Sequence, residues 1–398
     1  MRVSTTRLRR IALRRQGLTG HRRLGTGLKG ARQVIEQLGY IQIDTISVVA
    51  RAHHHTMWSR VSGYRDDYLN TLVRQGDAFE YWGHAAAYLP MRDYRYSLVR
   101  KHAIKRGERH WARSSNQRLM RYVLDRIHAE GPLKARDFDD ARTTSTGWWD
   151  WKPAKRALEQ LYMQGDLMSA GRDGCEKRYD LPERLLPADV ATTEPTTTEY
   201  ATHLVDTTLR AHGITTAQSV TYGRPGTAVR AAVSRVLAER LAAGSLTRLD
   251  VDGDHFYGPP ATVGTCQRPL APVVRILSPF DNAVIQRKRL VSLFGFDYQL
   301  ECYVTARSRR WGYFCLPLLF ADRFVGRMDC KAHRESGCFE IKALYLEASV
   351  PESFYAACAR TVVEYAAYLG CTEIEVTRMS PARCRRRFCN LVHAARMG

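Results

Sequence analysis

Two stretches in the middle of this chain repeat one pattern, and that repetition limits the possible folds more than any other feature. Residues 157–167, ALEQLYMQGDL, and 236–246, VLAERLAAGSL, each read as an amphipathic helix ending at a glycine, Gly165 or Gly244, with an extended segment after it. Both extended segments close on a tyrosine and a proline, in YDLP (179–182) and YGPP (257–260). Upstream, IHAEGPLKARDF (127–138) and LRAHGITTAQSV (209–220) each give a helix, a glycine turn and a second short helix. Helix, turn, helix, longer helix and a two-stranded loop is the order of a winged helix-turn-helix, so copies are predicted at about 116–190 and 196–262.

The Thr-rich TTEPTTTE at 192–199, interrupted by Pro195, reads as the linker between them. Residues 1–115 are mostly helical by pattern and leave room for a third, less regular copy. Over 265–398 the texture changes. FDYQLECYV, WGYFCLPLLF, FVGRMDCK and CFEIKALYLE are separated by short polar turns, as in an antiparallel meander, before a helix at about 351–369 and a short strand, EIEV. The predicted fold class is α+β: tandem winged helix-turn-helix modules followed by an antiparallel β-rich C-terminal domain.

Sixty-one Lys and Arg against 40 Asp and Glu leave a net charge of +21, and the first acidic residue is Glu36. Such a chain is drawn to polyanions, of which nucleic acid is the commonest. The arginine-rich start resembles an organelle transit segment, yet Leu8, Ile11, Ala12 and Arg15 recur at helical spacing with Gly17 as a stop, so a folded first helix is expected. No apolar run approaches the roughly 20 residues of a membrane span, and a soluble, cytoplasmic, nucleoid-associated protein is predicted. The ten cysteines include no Cys-x-x-Cys pair, and Cys384 and Cys389 flank an arginine run too loosely to name a metal site, so reduced structural thiols are expected.

The stretch LGYIQIDTISVVARAHHHTMWSR (38–60) carries the candidate chemistry. Gly39 should end a helix and leave Tyr40 to Asp44 extended, which places Ile41 and Ile43 on one face and Gln42 and Asp44 on the other. A carboxylate beside an amide suits hydrolysis of an N-glycosidic bond: the carboxylate stabilises an oxocarbenium-like sugar and takes a proton from water, and the amide holds that water. Spacing alone favours the plainer reading, with Asp44 capping a helix from Thr45 and Gln42 at the surface. In an extended run only His53 and His55 would share a face, and two imidazoles without a third ligand make a poor zinc site. A hydrogen-bonding strip near phosphate, or a polar turn, fits the three histidines better than metal.

Trp148, Trp149 and Trp151 precede a helix with Pro153 in its first turn and Lys152, Lys155 and Arg156 near its start. The tryptophans read mainly as core and the basic residues as phosphate contacts. The second copy places Arg224, Arg230 and Arg235 similarly, QRKR adds Arg287, Lys288 and Arg289, and ARSRR should present Arg307, Arg309 and Arg310 at a hairpin tip.

Three ordered blocks then match a known family. LGYIQIDTISVVARAHHHTMWSRV, WWDWKPAKRALEQLYMQGDL with RYDLPERLLP, and LSPFDNAVIQRKRLVSLFGFDYQLE with VGRMDCKAHR resemble the bacterial AlkZ/AlkX (YcaQ-type) family of crosslink-repair DNA glycosylases, over the chain to about residue 348. The resemblance implies tandem winged helices curved into a C, a monofunctional glycosylase without cofactor or metal, and a catalytic signature of Gln, an apolar residue, then Gln or Asp. Gln42-Ile43-Asp44 is similar to the Asp version, of the branch that removes N7-alkylguanines and unhooks interstrand crosslinks. Asp44 would then stabilise the cationic sugar and activate water that Gln42 positions. Duplex DNA carrying alkylated bases or crosslinks is the implied partner of a monomer. Closeness in sequence to Asp44 adds His53, His55, Trp58 and Arg60 as DNA-contact candidates. The rival reading is a winged-helix DNA-binding protein or transcriptional regulator without catalysis. A nuclease would want clustered carboxylates, whereas Asp281, Asp297, Asp322 and Asp329 are spread along the chain.

Overall fold

The acid-free start folds as the helical spacing requires. Helix Thr5–Arg15 begins where the Ser4 hydroxyl accepts the Arg7 N–H and buries Leu8, Ile11, Ala12 and Leu13, with Gly17 in the left-handed region just after it. The computed structural model describes residues 3–20, 24–110, 116–138, 153–224, 226–251, 253–264 and 268–397. The chain divides into two units. One joins Met1–Tyr64 to Leu204–Gly398, and the other is Arg65–His203. No helix among the described residues is long and apolar enough to cross a membrane, and no disulfide joins the described cysteines.

In the first unit, a sheet runs in the order Val274–Ile276, Cys315–Phe320, Arg323–His333, Cys338–Leu346, Glu373–Val376, with Met379–Ser380 also paired to Cys338–Leu346. The first four strands are antiparallel, but Glu373–Val376 and Met379–Ser380 pair in parallel, so the sheet is mixed rather than the expected pure meander. Parallel neighbours need a crossover, and helix Ser353–Tyr368 supplies it, burying Phe354, Cys358, Val362 and Tyr365. The expected strand FDYQLECYV is absent as a strand. Its period-2 alternation is real, since Phe296, Tyr298 and Leu300 are buried while Asp297 and Gln299 are exposed, yet it ends in a 3₁₀ turn, Glu301–Tyr303. Alternation reports burial on one side, and a strand also needs a partner ladder.

The internal repeat is visible in the order of elements. Gln117–Glu130, Ala135–Phe138, Pro153–Gln164 and the hairpin Met168–Asp173/Glu176–Asp180 are followed by Thr197–His212, Ala217–Val220, Thr227–Ala242 and the hairpin Thr247–Val251/Asp254–Gly258. The tyrosines that marked the repeat occupy equivalent places: Tyr179 bridges Leu133 and Tyr257 bridges Thr215, in each case the residue two beyond the turn glycine. Half of the expected linker is instead a helix start, where the Thr196 hydroxyl accepts the Glu199 N–H at 3.2 Å and the Glu199 carboxylate accepts the Thr196 N–H at 2.8 Å. That Thr-x-x-Glu pattern is a capping box. The second unit packs on Phe79, Tyr81, Leu98, Val123, Leu158 and Leu161, and its buried Glu80 receives two bonds from Arg172, at 2.8 and 2.6 Å.

A buried charge pair joins the distant parts of the first unit. Arg60 and Asp281 have no side-chain exposure, and the guanidinium grips the carboxylate at two points, 2.6 and 2.8 Å. Arg60 also donates to the Gln16 carbonyl, the Thr56 carbonyl and the Ser59 hydroxyl, so that each of its nitrogens is engaged. Removing one partner strands the other charge in a dry interior. Arg60→Met is therefore expected to destabilise the protein by about 3–5 kcal/mol, and Arg60→Met with Asp281→Leu by less than Arg60→Met alone. Urea midpoints of the three proteins check this; a double variant no more stable than Arg60→Met would refute the coupling.

Candidate active site

Helix Gly27–Leu38 ends at Gly39, whose φ of 77° is left-handed and whose hypothetical Cβ would lie 2.3 Å from Thr207 Cγ2. Only glycine satisfies both the conformation and the close approach. The chain then turns into the two-residue strand Ile41–Gln42, and the Asn282 amide donates to the Tyr40 carbonyl at 3.1 Å, fixing the approach to the motif. Asn282 is itself held, since Arg289 donates to its carbonyl and its neighbour Asp281 is locked by Arg60.

The alternating faces expected of 41–44 do not occur. Ile41 and Gln42 are both buried, while Ile43 and Asp44 are half-buried, because the strand stops at Gln42 and the two-residue period stops with it. No helix starts at Thr45 either. Asp44 Oδ1 accepts the Ile46 N–H at 2.7 Å, a bond to the backbone two residues on that holds the carboxylate in place. Burial raises the Asp44 pKa above the usual aspartate range, and the Ile46 N–H offsets only part of that rise. The negative charge of Asp44 reaches Cys302 and Tyr303, where burial and then this carboxylate raise both groups.

The histidines sit on a helix, Ala52–Trp58, rather than in an extended strip. His53 and His55 are buried at 4% and 1% exposure, and Trp58 at 7%, which removes them from a DNA-facing surface. His55 Nε2–H donates to the Ile276 carbonyl at 3.0 Å and its Nδ1 accepts from the Tyr365 hydroxyl at 3.1 Å. Trp58 packs on Tyr365 and Tyr368, with ring centroids 4.6 and 5.7 Å away. Arg60, also expected at DNA, is consumed by Asp281. Arg289 likewise is buried against His212 and the Asn282 carbonyl. Arg287 is half-buried and donates to the carbonyls of Val284 and Pro279.

The remaining basic candidates reach solvent. Lys155, Arg156, Arg230, Arg307 and Arg310 are exposed and Arg309 is half-buried, although Ala306–Ser308 is a 3₁₀ turn and not the tip of a hairpin. Trp148, Trp149, Trp151 and Lys152 lie outside the described residues. Among the described residues no three His, Cys, Asp or Glu gather as a metal site.

The family profile described as DNA glycosylase AlkZ-like matches residues 35–368, which spans the motif, both copies of the repeat and the four antiparallel strands of the sheet. The chain belongs to the AlkZ-like DNA glycosylase family. With membership come glycosylase activity and a DNA substrate, at the level of the family. Among solved structures the fold is similar to that of Streptomyces sahachiroi DNA glycosylase AlkZ, with a TM-score of 0.60 and 16% identity over 95% of this chain and all of that one.

For a family member of this kind, the supporting residues matter as much as the motif. Asp281 and Asn282 went unrecognised as supports, although a carboxylate and an amide inside the apolar run LSPFDNAVI were a visible signal. Tyr303 had no such signal, because nothing local links it to Asp44. Burial also sets a pH limit on this framework. It lowers the His55 pKa from 6.5 to about 4, so the folded state resists a proton that the unfolded chain accepts. The stability His55 contributes is full above about pH 6.5 and is lost as pH falls toward 4, at up to ~1.4 kcal/mol per pH unit. Urea midpoints from pH 7 to 4 should decline more steeply for the wild type than for His55→Gln; parallel curves would refute the assignment.

Proposed function

We propose that the protein hydrolyses the N-glycosidic bond of N7-alkylated purines in DNA, including one arm of an interstrand crosslink, with Asp44 and Gln42 as the catalytic pair. One observation carries this reading. Within the family-matched span, a half-buried carboxylate is fixed by a backbone N–H two residues after a buried amide.

An N7-alkylated guanine is cationic and needs little proton donation to leave. The electrons of the C1′–N9 bond go to the base, which departs neutral, and the positive charge passes to the sugar. Asp44, ionised, stabilises that charge and takes a proton from the water whose oxygen bonds to C1′. The Gln42 amide offers that water one donor and one acceptor. Base excision by this route uses no cofactor or metal. The exposed cations Lys155, Arg156, Arg230, Arg307 and Arg310, with Arg309, are the candidates for phosphate contact, and the chain acts as a monomer on duplex DNA.

Asp44→Asn is expected to slow single-turnover release of N7-methylguanine by roughly 10²- to 10⁴-fold, without added metal and with duplex binding retained. Full activity in a folded Asp44→Asn protein would remove Asp44 from the mechanism. Tight binding to a short undamaged site, with no base released by the wild type, would point instead to a regulator. The raised pKa of Asp44 gives a second expectation, because the carboxylate must be ionised to act. Activity should fall on acidification with a midpoint above the ~3.9 of an unperturbed aspartate, and that acid limb should vanish from the residual rate of Asp44→Asn. A pH profile of the single-turnover rate checks it.

A further inference from the structure

The loop from Glu301 to Phe314 is rigid and yet holds an aromatic ring in water. Its buried anchor, Glu301, accepts the backbone N–H groups of Arg310, Trp311 and Gly312 at 3.0, 2.8 and 3.1 Å. Arg309 Nε donates back to the carbonyls of Val304 at 2.9 Å and Glu301 at 3.3 Å, so both ends of the loop are tied together. At its far end Asp329 accepts the Phe314 N–H at 3.0 Å, and a Cβ at Gly312 would lie 2.2 Å from Asp329 Oδ2.

On this frame Tyr303 is 74% exposed, and Tyr313 is 40% exposed with the Arg309 guanidinium 4.8 Å from its ring centroid. A ring left in water forgoes burial that would stabilise the fold. A pinned backbone cannot fold it away. Tyr303 also lies within electrostatic reach of the Asp44 carboxylate, the group assigned to the sugar.

We propose that Tyr303 is a stacking site for the alkylated base itself, selecting its positive charge through the electron-rich face of the phenol while Asp44 addresses the attached sugar. The inference rests on the glycosylase reading above and deepens it. A guanine alkylated at N7 differs from guanine in carrying a delocalised cation, and a tyrosine face attracts such a cation more strongly than it does a neutral base. Arg309 and Tyr313 line the same lip and leave Tyr303 as its most exposed ring.

The test uses two duplexes that resist excision. One carries 2′-fluoro-stabilised N7-methylguanine, which is cationic; the other carries 7-methyl-7-deazaguanine, which has the same shape and is neutral. Both are titrated against the full chain by fluorescence anisotropy. The wild type should prefer the cationic duplex, and Tyr303→Leu should reduce that preference by roughly two- to thirty-fold, while Tyr303→Phe, which keeps the ring, should retain it. Because Asp44 also attracts cations, the comparison is repeated in Asp44→Asn, where the loss on Tyr303→Leu should persist. An unchanged preference in Tyr303→Leu, in either background, would overturn the stacking site. Excision of ordinary N7-methylguanine by the same wild-type preparation is scored separately, so failure of the glycosylase reading shows as absent release and failure of the stacking site as unaltered charge preference.

Discussion

The Arg60–Asp281 pair is the constraint on which the first unit depends. The two residues are 221 positions apart and neither is exposed. A lone charge in that interior would cost several kcal/mol, so the pair forms only when the N-terminal segment and the strand-rich C-terminal segment close on each other. Gln16, Thr56 and Ser59 satisfy the rest of the guanidinium, and Ala283 N–H satisfies Asp281 further at 2.9 Å. From this lock Asn282 reaches the Tyr40 carbonyl. The position of the motif thus follows from the folding of a discontinuous unit rather than from its own strand.

Two carboxylates show how environment assigns roles. Burial works to raise both Glu301 and Asp44. Three backbone N–H groups outweigh it at Glu301 and hold that carboxyl below its ordinary value, whereas the Ile46 N–H leaves Asp44 above its own. Glu301 is spent on loop structure. Asp44 keeps a half-buried carboxylate whose charge is less fully satisfied, and this is what a developing sugar cation would meet.

Much of the architecture was legible because it depends on local pattern. The N-terminal helix, the glycine stop at 39, both repeat copies and the strands from 315 onward follow from periodicity and turn chemistry. Local pattern failed where partners decide. FDYQLECYV alternates like a strand without a ladder, and EIEV pairs in parallel because a helical crossover returns the chain in the same direction. The histidines illustrate a different failure: three consecutive polar residues suggested a surface, but a helix turns them in different directions and Ile276 and Tyr365 give His55 an interior home.

The sequence by itself determined the family, the repeat and the catalytic candidates, since motif spacing and hydrophobic period are one-dimensional quantities. Its +21 charge set the expectation of a polyanionic partner. Only the tertiary structure decided which cations remain available to that partner, because Arg60 and Arg289 look like Arg230 and Arg307 until their neighbours are known. The same holds for Tyr303. Its electrostatic link to Asp44 joins segments more than 250 residues apart, a separation across which a linear pattern carries no distance information.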